Sequence, residues 1–111
     1  MRQQWMARIL VFTGVWGILL GGVGAAAGGK EAYQKLCQSC HGADGTGNPQ
    51  MAKSLKVFMP SVTRAALAQK DDAEMLRITA EGKGKMPGYA PRLSAEEQRQ
   101  VLEYMKTLGQ R

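Results

Sequence analysis

Cys37-Gln38-Ser39-Cys40-His41 decides the reading of this chain. The stretch follows C-x-x-C-H, the pattern for covalent attachment of a c-type haem. Two thiols spaced by one helical turn add across the two vinyl groups of a single haem and fix it against that turn. His41 comes next and is placed to ligate the iron through a ring nitrogen. Haem is a one-electron centre, so the motif points to electron transfer.

Two other chemistries use similar residues. Thiol–disulfide oxidoreductases also carry C-x-x-C, but they place a strand before it, and residues 28–36 read as helix. A structural zinc site takes four ligands, and the chain has two Cys and one His. Its single His stands directly beside its single Cys pair, which argues against a chance pentapeptide.

Outward from the motif, the N-terminus reads as a targeting segment. Arg2 and Arg8 open it, residues 9–20 are apolar, and Ala25-Ala26-Ala27 offers the small residues a signal peptidase requires. Cleavage near Ala27 makes residues 1–27 a signal peptide and residues 28–111 the functional domain. The alternative is an uncleaved membrane anchor. Residues 9–27 are free of charge for 19 positions, within the roughly 17–25 that can span a bilayer. The strongly apolar part is shorter than that, and no linker separates it from the motif-bearing helix, so cleavage is the favoured reading.

The remaining 84 residues form one small domain. A chain of that length builds only a marginal core, and with both Cys engaged no disulfide can assist it. A covalently held haem supplies the missing apolar volume. Removing Arg2 and Arg8 leaves 13 basic residues against 9 acidic ones, a charge of +4. The basic residues are scattered and aromatics are few, which excludes nucleic acid as a partner.

Periodicity predicts an all-α fold of three to five short helices. The first covers residues 29–40, with Ala32, Tyr33, Leu36, Cys37 and Cys40 on one face. Residues 41–49 read as loop and residues 51–60 show no clean period. A short helix follows over residues 62–69, with Ser61 as its cap. Asp71-Asp72-Ala73-Glu74 resembles a capping box and opens the next helix, which Gly82 stops. Ser94-Ala95-Glu96-Glu97 is a second capping box. The stripe Val101, Leu102, Met105 and Leu108 marks the last helix, with Tyr104 beside it and Gly109 beyond its end.

A low-spin electron carrier fills both axial positions of its iron, commonly with His and Met. The Met residues beyond the signal segment are Met51, Met59, Met75, Met86 and Met105. Met75 and Met105 lie in helical stripes and read as core filler. Met51 and Met59 sit in the irregular middle segment and stay open as ligands. Met86 is preferred, because Gly82-Lys83-Gly84-Lys85-Met86-Pro87-Gly88 has no helical period to account for it. Its glycines admit close approach of backbone to a macrocycle, and Pro87 stiffens the position.

These residues together resemble the class I c-type cytochromes, the small single-haem bacterial kind, over roughly residues 29–108. The resemblance rests on Cys37-Gln38-Ser39-Cys40-His41-Gly42 near the start, Met86-Pro87 near the end, and a helix after that. Gly29, Tyr33 and Cys37 match the family's small–aromatic–Cys spacing, and Tyr104 takes its aromatic position in the last helix. The resemblance implies a cytochrome c-like fold wrapped around one covalent haem c, with the first and last helices crossing at those residues. It implies Cys37 and Cys40 as attachment points, His41 and Met86 as axial ligands, and Pro49 as the proline whose carbonyl orients His41. Tyr89 and Phe58 are candidates to line the haem crevice.

The function so implied is not enzymatic. It is a periplasmic carrier shuttling one electron between a membrane or dehydrogenase donor and a terminal oxidase or reductase. Redox proteins are the partners, docking on a basic rim of Lys53, Lys56, Lys83 and Lys85. Alternatives are a dedicated subunit of one enzyme complex, a periplasmic thiol oxidoreductase using Cys37 and Cys40, and a gas-binding sensor with an open iron site.

Overall fold

A crossing between the first helix and the last organises the molecule. The computed structural model describes residues 25–109, together with Gly14 and Gly17. The segment read as a signal therefore lies almost wholly outside the described residues. In chain order the helices are α1 (Ala25–Leu36), α2 (Gln38–His41), α3 (Pro49–Leu55), α4 (Arg64–Leu67), α5 (Asp72–Glu81) and α6 (Ala95–Met105). Among the described residues there is no strand; an isolated bridge between Lys83 and Met86 is the β-type pairing present. None of these helices is long and apolar enough to cross a membrane.

The α1–α6 contact is the most extensive in the fold, and Gly29 makes it possible. A Cβ at that position would lie 2.0 Å from the Gln100 carbonyl oxygen and 2.5 Å from its carbon. Only a residue without a side chain lets the two backbones approach so closely. Beside the glycine, Tyr33 and Val101 are fully buried. The Tyr33 and Tyr104 rings meet at 5.3 Å between centroids, tilted by 58°, a favourable edge-to-face arrangement. The buried cluster continues through Leu67, Tyr89, Leu93, Leu102, Met105 and Leu108. The small–aromatic crossing expected from Gly29, Tyr33 and Tyr104 is thus present.

The ends of α6 follow the sequence closely. Ser94 accepts from the Glu97 N–H, and the Glu97 carboxylate accepts from the Ser94 N–H, a complete capping box. The helix before it departs from the same pattern. Asp71 caps α5 by accepting from Ala73 N–H, while Glu74 pairs with Arg77, at 2.6 Å, instead of reaching back. Arg77 also reaches Glu81 one turn later. Lys106 joins α6 to α5 through Asp72 at 2.6 Å. Such exposed pairs contribute little each.

Three other expectations need correction. The single helix over residues 29–40 is broken at Cys37, giving α1 and α2. Residues 49–55, read as loop and aperiodic chain, form α3: the Asn48 side chain accepts from the N–H groups of Gln50 and Met51, and Pro49 takes the first helical position. The cap of the short helix before α5 is Thr63, not Ser61.

Candidate functional site

The break at Cys37 shapes the C-x-x-C-H turn. In a continuous helix the Cys40 N–H would bond to the carbonyl of Leu36, four residues back. Here the N–H groups of both Cys40 and His41 bond to the Cys37 carbonyl, at 3.3 and 3.0 Å. The Leu36 carbonyl is thereby released, and the Tyr89 hydroxyl donates to it at 2.8 Å. At the other end, Gly42 turns the chain with φ +82°, a conformation that favours glycine. Its carbonyl accepts from the Tyr33 hydroxyl at 2.5 Å. The carbonyls on either side of the pentapeptide are thus each held by a tyrosine.

Asn48 holds the middle of the turn. Its backbone N–H donates to the Cys40 carbonyl at 2.9 Å, and its side-chain Nδ2 donates to the Ser39 carbonyl, also at 2.9 Å. The Gly47 N–H donates to the His41 carbonyl at 2.7 Å. Sequence reasoning passed over Asn48, although Asn followed by Pro is a helix-start signal. One side chain thus caps α3 and secures the cysteine turn.

His41 is half-buried, and its Nδ1 atom is enclosed without a hydrogen-bond partner of normal geometry. Burial lowers the imidazole's proton affinity, and the Pro60 carbonyl works in the opposite sense to a smaller extent. The ring is thereby biased toward the neutral form that binds metals. The proline acting on His41 is Pro60; Pro49 instead serves at the start of α3.

The two thiols are half-buried and unpaired. Burial pushes the Cys37 thiol up to about 11, and the nearby Cys40 adds to the rise. A thiol–disulfide oxidoreductase needs the opposite shift, since the thiolate is its nucleophile. The shift runs against that chemistry.

Met86 lies in the segment between α5 and α6. Lys83 and Met86 exchange two backbone hydrogen bonds of 3.0 Å around Gly84 and Lys85, with Gly84 at φ +59°, a tight two-residue hairpin loop. Gly82 and Gly88 bring the base of this loop against α5, where a Cβ at Gly88 would meet the Ala80 carbonyl at 2.6 Å. Met86 is half-buried and packs on the same apolar cluster as Cys37, Leu36 and Tyr104. Met75 also packs there and Met105 is inside it, matching their reading as core. Met51 and Met59 are half-buried. Tyr89 is buried and within electrostatic reach of Cys37 and Cys40, whereas Phe58 is 87 % exposed.

A family model described as cytochrome c oxidase, cbb3-type, subunit III matches residues 24–105. The chain belongs to this family. Within the family, the chain is 29 % identical over 83 residues to the cbb3-type cytochrome c oxidase subunit FixP of Rhizobium meliloti (strain 1021), covering 73 % of this chain and 27 % of that protein. It is 32 % identical over 88 residues to the FixP of Azorhizobium caulinodans, covering 77 % and 28 %. Cytochrome c-553 of Desulfomicrobium norvegicum is 49 % identical over 39 residues, covering 35 % and 48 %. The chain thus spans about a quarter of the FixP proteins and about half of the cytochrome c-553. The solved structure of cytochrome c6 from the diatom Phaeodactylum tricornutum superposes with a TM-score of 0.56 at 27 % identity, over 74 % of this chain and 91 % of that one.

The fold is therefore that of a class I c-type cytochrome, and the cofactor is haem c. The residues present fit it. Two half-buried thiols share one turn, and a half-buried imidazole biased toward its neutral form follows them.

Proposed function

We propose that Cys37 and Cys40 carry the thioether bonds to haem c, and that His41 and Met86 are its axial ligands. The observation that carries this reading is the cysteine turn, fastened by Tyr33, Asn48 and Tyr89 at Gly42, Ser39, Cys40 and Leu36. When bound, haem c supplies a one-electron centre. The chain's own residues hold it rigidly, exclude water with the Tyr33–Leu102 cluster and keep His41 neutral. A rigid surround keeps reorganisation small when an electron arrives or leaves.

The carrier shuttles single electrons between redox proteins on the exported side of a membrane. Lys53, Lys56, Lys83 and Lys85 are all exposed and meet acidic partners, with association that weakens as salt rises. The FixP relatives favour a second reading, a dedicated subunit of one oxidase complex. Purification of the chain with a stable oxidase would favour it over the shuttle.

Ligation is tested on purified holoprotein. Wild type should take up one electron reversibly, show the weak far-red sulfur-to-iron band when oxidised, and bind carbon monoxide poorly when reduced. Met86→Ala should lose the band and bind carbon monoxide readily. Met51→Leu and Met59→Leu are packing changes and should keep it. Loss of the band in Met59→Leu with retention in Met86→Ala would move the ligand to Met59.

Export is tested by mass analysis of the N-terminus. The mature chain should begin close to Gly28 and fractionate as soluble. Cleavage there leaves Gly29 and its contact with Gln100 intact. Retention of residues 1–27 in a membrane fraction would establish an anchored form instead.

A further inference from the structure

We infer that the Tyr89 hydroxyl is a positioning group, a strut by which the cysteine turn holds the Met86 loop closed. The inference rests on Met86 being the axial ligand. Tyr89 stands three residues after Met86, and its hydroxyl reaches 53 residues back along the chain to the Leu36 carbonyl. That carbonyl adjoins Cys37 and is available because the helix breaks there. The backbone bonds beside Tyr89 run elsewhere: its own N–H donates to Thr79 and the Ala90 N–H to Ala80, both on α5. The hydroxyl therefore spans two separate bodies, the thiol-bearing turn and the methionine loop. Tyr89 is 7 % exposed, and the Arg92 guanidinium stands over its ring at 5.6 Å from the centroid, so the ring that carries the hydroxyl is held in place by its surroundings.

Tyr33 supplies a matched control. Its hydroxyl bonds to Gly42, at the far end of the same turn, and makes no bond to the Met86 loop. Each Tyr→Phe change removes one hydroxyl and keeps the ring, so both variants should lose similar stability. A strut predicts that they differ in how often the loop opens.

The experiment measures carbon monoxide binding to the reduced holoproteins, together with the far-red band of the oxidised forms. Tyr89→Phe should bind carbon monoxide about fivefold to tenfold faster than wild type, the loss of one hydrogen bond from the closed state. Its band should persist, because Met86 still ligates most of the time. Tyr33→Phe frees the far end of the same turn and should accelerate binding less than Tyr89→Phe does. Equal rates for Tyr89→Phe and wild type overturn the strut, as does equal acceleration in both variants, which would signal general loosening. A band that survives Met86→Ala removes the ligand assignment and the strut with it. A band lost in Met86→Ala, with Tyr89→Phe unchanged, removes the strut alone.

Discussion

The double variant Cys37→Ala/Cys40→Ala should yield no haem that survives acid-acetone extraction, whereas wild-type protein matured by a haem-attachment system should retain all of it. The effect is all-or-none because these are the chain's two thiols. His41 and Met86 alone would leave only dissociable ligation. Each single variant should keep one thioether, and its alkaline pyridine spectrum should shift to the red because one vinyl group stays unsaturated. Folding should follow the haem. The described apolar core is small, centred on Tyr33, Val101, Leu102 and their neighbours, and domains of this size are marginal without a covalent or metal aid. The double variant should therefore lose its cooperative thermal transition. Haem retained through extraction by the double variant would refute the attachment.

Two neighbouring glycines should respond in very different ways to the same substitution. Gly29→Ala places a methyl group 2.0 Å from a backbone oxygen of α6, and backbone cannot swing aside. The helices must separate, opening the seam that buries Tyr33 and Val101. Overpacking costs about 1–3 kcal/mol, and with the seam opened the loss should reach about 3 kcal/mol or more, a large share of a total of about 5–15 kcal/mol. For a domain of this length, that is a fall in Tm of more than about 12 °C. At Gly28 the methyl group would meet Gln100 Oε1 at 2.8 Å, the far end of a flexible side chain. In a mature chain that begins close to Gly28 the residue is terminal, so Gly28→Ala should change stability by less than about 1 kcal/mol. Thermal melts of the two holoproteins check this, and equal melting temperatures would refute the account of the crossing.

Local signals in the sequence were read well where the chain acts on itself. Ser94 and Glu97 announced α6, Gly82 announced the end of α5, and the stripe from Val101 to Leu108 marked the buried face. The cysteine motif and the Gly29–Tyr33–Tyr104 pattern led to the family and its fold. What stayed hidden depends on groups distant in sequence. Nothing local to residues 29–40 says that Tyr89 will take the Leu36 carbonyl, so the break at Cys37 was not legible. Pro49 is the proline that the resemblance assigns to His41, and the bearing of Pro60 on that ring depends on how the chain folds back after α3. That helix itself was legible in Asn48-Pro49, but the weak apolar period of residues 51–60 masked it.

The Gly29–Gln100 crossing also orders events in time. Its two sides are 71 residues apart, and a chain is made from the N-terminus onward. α1 and the cysteine turn emerge long before α6 exists to cover them. Contacts so distant in sequence close late, since the loop entropy must be met before they form. Through that interval Cys37 and Cys40 sit on an open segment that an attachment system can reach. Once residues 95–105 arrive and cross Gly29, α1 is covered along the face that carries Tyr33. If Cys37 and Cys40 are the attachment points proposed above, the long separation of the two helices leaves them accessible until α6 docks.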